Sequence, residues 1–314
     1  MARKLWTYWL LFVLSVGLGI GVYQFTTYRA IRSAAMGQLQ HLASAKKQAL
    51  QNRLEEAVRS LRQATDFVSS VKPGTFSAEK TNQFLEGLIQ KNPAIITMLV
   101  IDAQGVSVAS NRPTLIGSRF KNSPRYKAIS QDPDKNKIYI SDPFVTPLGN
   151  YTIGLGAMLA NQEGGFDGYI LAIASPEFFW KILYKDTATY DVASVLIHDS
   201  GLVIYRTPDS DEREASDLRA YPDSSFWNFL KSGKDADEVT AVVPKTGLMN
   251  MLAYRRIALQ GIATDHQLYL GLGMETDVVF DRWLNRGLQL FAVWVLLASL
   301  GGIWVAWKIQ RSET

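Results

Sequence analysis

Arg125 followed by Tyr126 joins two side chains whose chemistry could hold an anionic ligand. A guanidinium presents a planar fork of donors that takes a carboxylate through two parallel hydrogen bonds, and a neighbouring ring can close one wall of the grip. The competing role is structural, with Arg125 paired to a loop carboxylate such as Asp132 or Asp142 and Tyr126 filling the core. Other chemistry is poorly supplied. The chain has no cysteine, which removes disulfides, thiolate zinc sites and cysteine nucleophiles. Its three histidines, His41, His198 and His266, fall in different elements without paired spacing, so no metal site is expected. Asp132-Pro133-Asp134-Lys135-Asn136 opens like a calcium loop, but Lys137 stands where the turn needs glycine and Pro143 where the ion needs glutamate; a polar turn is expected. Asp102 and Asp199 read as turn formers. No Gly-rich phosphate loop, nucleophile elbow or pair of catalytic carboxylates stands out. Gly17-Leu18-Gly19-Ile20-Gly21 lies in an apolar stretch, where small residues serve helix packing. No catalytic function and no cofactor are expected.

The elements that must position these residues begin at the chain ends. Leu5 to Tyr23 is 19 residues without a charge, and Gly287 to Trp307 is another 21. Each matches the roughly 20 residues a helix needs to cross about 30 Å of hydrocarbon. Trp6, Tyr8 and Trp9 mark one boundary of the first span, and Trp283, Trp304 and Trp307 bracket the second, as interfacial aromatics do. A cleaved signal peptide is the rival reading of the first span, with Arg3 and Lys4 as its basic start and Gly19-Ile20-Gly21 as a weak cleavage site. Arg29, Arg32, Arg282 and Arg286 weaken the positive-inside bias, but long loops cross largely regardless of charge. Both termini are therefore expected in the cytoplasm and the bulk outside. The chain has 314 residues, 47% of them hydrophobic, enough for one to three domains and too apolar for wholesale disorder. A net charge of +4 without a dense basic run gives no reason to expect nucleic acid as a partner.

Between the spans, Thr26 to Ser70 contains no proline and only Gly37 as glycine. Leu50, Leu54, Ala57, Leu61, Ala64 and Val68 step in a heptad rhythm, which predicts one long stalk helix ended by Lys72-Pro73-Gly74. The seam serves a second copy of the chain, the helix's own domain, or both, with the upper part on the domain and the lower part on a second copy. The pattern then turns to period two. Strands are expected at Ile95–Ile101, Val106–Ser110, Ile138–Ser141, Tyr151–Leu159 and Tyr169–Ser175, with an irregular stretch from Asn111 to Lys137 and a helix after Pro176. The series recurs with strands at Val192–His198, Leu202–Arg206, Glu238–Val243, Met249–Ala258 and Gln267–Met274, and a short helix near Phe226–Lys231. The turns Asp102-Ala103-Gln104-Gly105 and Asp199-Ser200-Gly201 open equivalent hairpins about 97 residues apart, so two copies of one antiparallel α+β module are expected.

A span, a long helix, two PAS-like modules and a second span together resemble the double Cache sensor regions of bacterial membrane receptors, closest to those of diguanylate cyclases and sensor histidine kinases. The residues that carry the resemblance are Ile101-Asp102-Ala103-Gln104-Gly105, Ser123-Pro124-Arg125-Tyr126, Tyr139-Ile140-Ser141-Asp142-Pro143, Tyr151-Thr152-Ile153, Phe166-Asp167-Gly168-Tyr169-Ile170 and Ser175-Pro176-Glu177-Phe178-Phe179, and it covers most of residues 30–280. It implies an α+β fold divided into a tail (1–4), a first span (5–25), a stalk (26–72), a membrane-distal module (73–185), a membrane-proximal module (186–280), a connector (281–286), a second span (287–307) and a tail (308–314). It also implies a ligand-sensing, signal-transducing homodimer in the bacterial inner membrane, with the bulk in the periplasm. Its ligand site would lie over the distal sheet, formed by Arg125, Tyr126, Tyr139, Ser141, Phe144 and Tyr151 around a small molecule such as a carboxylate. Two departures count against an amino-acid ligand. Ala157 falls where many members carry arginine, and Ile173-Ala174-Ser175 stands where amino-acid binders end the last strand in aspartate. Only seven residues follow Trp307, so an output domain is expected either beyond this sequence or in a separate cytoplasmic partner. The alternative reading is a structural or assembly protein whose exported domain binds a protein and no small ligand.

Overall fold

The computed structural model of the chain describes residues 2–71, 76–147, 149–184, 191–207 and 219–313. Helix α1 (Ala2–Ser70) runs unbroken through the expected first span and stalk, as a stretch without proline permits. The expected stop at Lys72-Pro73-Gly74 and the boundary at 185/186 lie outside the described residues. Helix α2 (Ala78–Lys91), which the strand-directed reading passed over, starts at Ser77, whose hydroxyl accepts the Lys80 N–H, and buries Thr81, Leu85 and Leu88.

Two sheets follow. The first contains β1 (Ile95–Asp102), β2 (Ser107–Ser110), β3 (Lys137–Ile140), β6 (Gly154–Ala160) and β7 (Phe166–Ala174). Helix α3 (Pro124–Gln131) lies in the expected irregular stretch, and the small hairpin β4 (Phe144–Val145) and β5 (Tyr151–Thr152) stands outside the sheet. The expected Tyr151–Leu159 strand is thus split at the buried Ile153. After helix α4 (Pro176–Tyr184), the second sheet takes β8 (Val192–His198), β9 (Val203–Thr207), β10 (Ala236–Val242), β11 (Met249–Ile257) and β13 (Leu268–Glu275), with helix α5 (Ser225–Ser232) between β9 and β10. With β12 (Ala263–Thr264) added, the strand orders are β12-β3-β6-β7-β1-β2 and β10-β11-β13-β8-β9. The hairpins β1–β2 and β8–β9 match closely. Each carries a bulge, at Val100/Ile101 and Leu196/Ile197, and turns at Gly105 or Gly201 with φ near +80°.

One element departs from the expected division. β12 (Ala263–Thr264) belongs by sequence to the second half, yet it pairs in parallel with β3 at the edge of the first sheet. The next residue, Asp265, accepts the Ile140 N–H at 2.7 Å and holds it there.

Period two explains how the sheets are covered. Met98 and Val100, Leu155 and Ala157, Ile170 and Ala172 in the first sheet point to the same core as Leu196, Met251, Ala253, Leu270 and Leu272 in the second. Leu39, Ala43, Leu50, Leu54, Ala57, Leu61 and Ala64 of α1 complete that core, each at most 4% exposed. The stalk is therefore a spine shared by both sheets, and a fully buried leucine on it contributes about 1.5–3 kcal/mol. This corrects the expectation of a seam between subunits. Leu50, Leu54, Ala57 and Leu61 already pack within their own chain, so a second copy cannot use them. The residues alternating with these form separate outer cores: Leu99, Ile101, Tyr169 and Leu171 with α3, and Ile197, Leu252, Tyr254 and Tyr269 with Phe226 and Phe229 of α5.

Polar anchors tie the same spine down. Buried Lys46 of α1 donates to Ile182 O and Leu183 O, at 2.8 and 2.9 Å, where the last carbonyls of α4 lack helical partners. Buried Arg255 of β11 pairs with Glu238 at 2.8 Å and reaches Ser44 of α1. β13 passes directly into helix α6 (Thr276–Glu313), and the Thr276 hydroxyl donates to Met249 O. Helices α1 and α6 are the two helices long and apolar enough to cross a membrane among the described residues. They pack by reciprocal insertion. Trp294 lies against Gly17 and donates to Val13 O, while the Trp9 ring lies where a Cβ on Gly301 would approach to 2.2 Å. Of the expected glycine face only Gly17 is used; Gly19 and Gly21 meet nothing.

Candidate functional site

Helix α3 is short but well started. Pro124 occupies a first-turn position, and the Ser123 hydroxyl accepts the Tyr126 N–H at 3.2 Å. Arg125 and Ile129, one turn apart, come down on Gly154 and Gly156 of β6, two residues apart on the outer face. A Cβ on Gly154 would lie 2.8 Å from the Leu171 side chain and 3.5 Å from Arg125 Nη1, and one on Gly156 would lie 2.9 Å from Ile129. The two glycines therefore let α3 settle onto the strand.

The Arg125 guanidinium is half-buried and stacks 3.7 Å over the centroid of Phe144, on the β4–β5 hairpin. Neither suggested carboxylate pairs with it. Asp132 pairs with Lys137 at 2.7 Å, and Asp142 accepts from Ser200 at 2.9 Å. Arg125 Nε is sealed from solvent without a hydrogen-bond partner. Burial lowers the Arg125 pKa, only partly opposed by the nearby Tyr169. Tyr169 itself is fully buried on β7 with no partner for its hydroxyl, and burial pushes it up to about 12. Among the described residues, a guanidinium without a carboxylate partner and a phenol with only the Ser123 hydroxyl near it thus face one region of the outer core.

The other expected residues divide. Ser141 is in place near Gly154, its hydroxyl donating to Asp142 O and accepting the Gly154 N–H, both at 2.8 Å. Tyr126 is buried edge-on to Phe166 and Tyr169 and donates to Ala103 O at 2.6 Å, so it is the floor of the site as well as core. Tyr139 is buried, donates to Asp132 O and accepts the Asp134 N–H, closing the turn that had been compared with a calcium loop. Tyr151 does not join the group. Its hydroxyl donates to Val203 O of the second sheet at 3.0 Å, because β5 turns it towards the junction between the sheets. Tyr169, not among the expected site residues, lies on the α3 face by its parity with Leu171 and Ile173 on β7. A separate cavity of about 480 Å³ lies away from Arg125, on the outer face of the second sheet, between Val195, Phe226, Tyr254 and Arg219.

The histidines require a correction. His198 and His266 are brought together, with ring centroids 4.7 Å apart, because β8 and β13 are neighbours in a register that sets His198 opposite Leu268. Asp199, expected as a turn former, instead clasps the two strands. Its carboxylate accepts the Gln267 N–H at 2.8 Å and contacts His266 Nδ1 at 2.9 Å. Burial opposes its charge, but these bonds outweigh burial and hold its pKa below the ordinary carboxylate range. Burial pushes His198 down, and the bond to Asp199 pulls His266 up. Asp102, by contrast, is the expected turn former, accepting from Gln104 N and Val106 N.

No protein-family model matches the sequence, and no curated protein matches it either. Solved structures do. An extracellular ligand-binding receptor from Desulfohalobium retbaense DSM5692 aligns with a TM-score of 0.59 at 18% identity over 76% of this chain, which spans 40% of that receptor's chain. The ligand-binding domain of the Pseudomonas fluorescens chemoreceptor CtaA, in complex with L-isoleucine, gives 0.57 at 17% identity over 82% of this chain and 99% of that one. The periplasmic sensory domain of the Campylobacter jejuni chemoreceptor Tlp1 gives 0.64 at 11% identity over 80% of this chain and 98% of that one. The chain has the fold shared by these extracellular and periplasmic sensor domains.

Proposed function

We propose that the chain is a membrane-anchored sensor of the double Cache kind, with two PAS-like modules outside the inner membrane and both termini in the cytoplasm. A small anionic ligand, of which a carboxylate is the simplest, binds over the outer face of the first sheet between Arg125, Phe144, Ser141, Tyr126 and Tyr169. The observation that carries this reading is the enclosed Arg125 guanidinium, stacked on Phe144 and paired with no carboxylate. A charge in that setting gains most from an anion that supplies the missing hydrogen bonds. The neighbours of known structure include amino-acid-binding domains, but the absence of an aspartate at the end of β7 argues for a ligand without an ammonium group.

The signal passes through the parts that share the spine. The first sheet packs on α1, which continues into the first span, and β13 continues into the second. A ligand shifts such an element only by its differential affinity for two arrangements. A homodimer remains part of the reading, with its contact moved to the outward face of α1, and the output lies in a cytoplasmic domain or partner. The test is thermal melting of the full chain in detergent against a panel of mono- and dicarboxylates and amino acids. A binder should stabilise the wild type and fail with Arg125→Ala, while the unliganded variant melts as the wild type does. A ligand that stabilises both equally would place the site elsewhere, and the cavity by Phe226 and Tyr254 is then the place to look.

A further inference from the structure

Beyond ligand sensing, we propose that His198, Asp199, His266 and Asp142 form a site for a zinc-class divalent cation at the junction of the two sheets. The donors come from both halves of the chain. His198 ends β8, Asp199 follows it, His266 precedes β13, and Asp142 follows β3 of the first sheet. Asp199 Oδ1 lies 2.9 Å from His266 Nδ1 and 3.2 Å from His198 Nδ1, and Asp142 Oδ1 lies 3.2 Å from the same His198 nitrogen. One ligand atom from each of His198, Asp199 and His266 fits within 4.8 Å. Around a tetrahedral zinc with bonds of about 2.0–2.1 Å, ligand atoms lie about 3.3 Å apart. That is close to the 2.9 and 3.2 Å edges that Asp199 and Asp142 make with the imidazoles. Asp142 lies outside the three-residue group and would have to close in as the fourth ligand. Two imidazoles and two carboxylates are a donor set for zinc, with manganese, cobalt and nickel as competitors, and a poor one for calcium or magnesium.

A second observation comes from His198 alone. It is completely buried, and its Nε2 has no hydrogen-bond partner. The Ser200 N–H points at Nδ1 from 3.2 Å and the Ser200 hydroxyl, which donates to Asp142, lies 2.8 Å from it, yet two carboxylate oxygens also face that nitrogen at 3.2 Å. With the proton moved to Nδ1, the Ser200 hydroxyl and the carboxylates can accept it, but the buried Nε2 lone pair is left without a donor. Neither neutral tautomer satisfies the ring. A cation between Nδ1 and the carboxylates turns the first arrangement from repulsive to attractive. Access is open, since the side chain of Asp142 is 57% exposed and that of His266 is 44% exposed. Because Asp265 and β12 already fasten this corner to β3, a bound ion would brace the two sheets against each other.

The test uses the full chain in detergent, stripped with chelator, loaded with zinc chloride and freed of excess by gel filtration. Elemental analysis should find about one zinc per chain, and zinc should raise the melting temperature. His266→Gln and Asp142→Asn alter exposed side chains and should keep the fold by circular dichroism. His266→Gln should weaken zinc binding by at least about 100-fold, beyond the usual cost of losing an outer-shell partner. His41→Gln, on the stalk, should bind as the wild type does. Three results would overturn the proposal. They are no retention of zinc, manganese, cobalt or nickel by the wild type, equal retention by His266→Gln, and a cluster whose melting responds to pH but not to any of these ions.

Discussion

Replacing Arg125 with methionine separates a ligand-gripping arginine from a structural one, because only loss of the structural role costs the unliganded protein substantially. What the substitution removes is the stack on Phe144 at 3.7 Å, and a desolvated cation–π contact contributes about 1–2 kcal/mol. Methionine keeps most of the aliphatic stem packed against β6. What it relieves is an enclosed guanidinium whose Nε has no acceptor and which pairs with neither Asp132 nor Asp142. An unsatisfied buried polar group costs about 1–3 kcal/mol and a charged one more. The balance runs from a loss of about 1 kcal/mol to a gain of about 2 kcal/mol, or several degrees of melting temperature either way, at about 2–4 °C per kcal/mol for a domain of 150–250 residues. Arg125→Lys keeps the charge but loses the planar fork that lies on the ring, so it should be the least stable of the three. Thermal melting of the full-length variants in one detergent reads the order. If Arg125→Met lost more than about 1 kcal/mol, the guanidinium would be holding the fold, and the argument for an anionic ligand would fall with it.

The spine gives further expectations. Lys46→Met should cost about 1–3 kcal/mol in denaturant unfolding by stripping two carbonyls at the end of α4 of their buried donor; an unchanged midpoint would mean that water replaces the ammonium. Leu54→Ala should cost about 2–4 kcal/mol for the cavity it opens, and single cysteines at Leu50 or Leu54 should not cross-link between subunits in oxidised membranes; efficient cross-linking would restore the seam to a dimer. Gly301→Leu should destabilise the packed spans and Trp9→Ala should partly rescue it, with a coupling of about 0.5–3 kcal/mol in a double-mutant cycle; additive effects would mean that the two helices do not meet through this pair.

The local pattern carried much of the fold. Leu5–Tyr23 and Gly287–Trp307 are apolar for the length of a bilayer, and both are helical. The short apolar run Ile95–Ile101 placed strand β1, and the glycine turns at Gly105 and Gly201 placed two hairpins. Arg125 was legible as a ligand candidate through the resemblance to double Cache sensor regions carried by Ser123-Pro124-Arg125-Tyr126, and through the fork a guanidinium offers an anion.

The sequence by itself determined most strands, the two long apolar helices and the recurrence of a hairpin pattern, because each depends on the spacing of apolar residues within a few turns of chain. It did not determine helices α2 and α3. Only the tertiary structure decided which surface each face meets. The heptad rhythm of the stalk says that one side is apolar, and two sheets of the same chain, not a second copy, cover it. Tyr151 faces Val203 instead of Arg125 because hairpin β4–β5 turns towards the second sheet. His198 and His266 stand 68 residues apart along the chain and 4.7 Å apart in space, since strand register, unlike periodicity, is fixed by pairing partners that no local window contains.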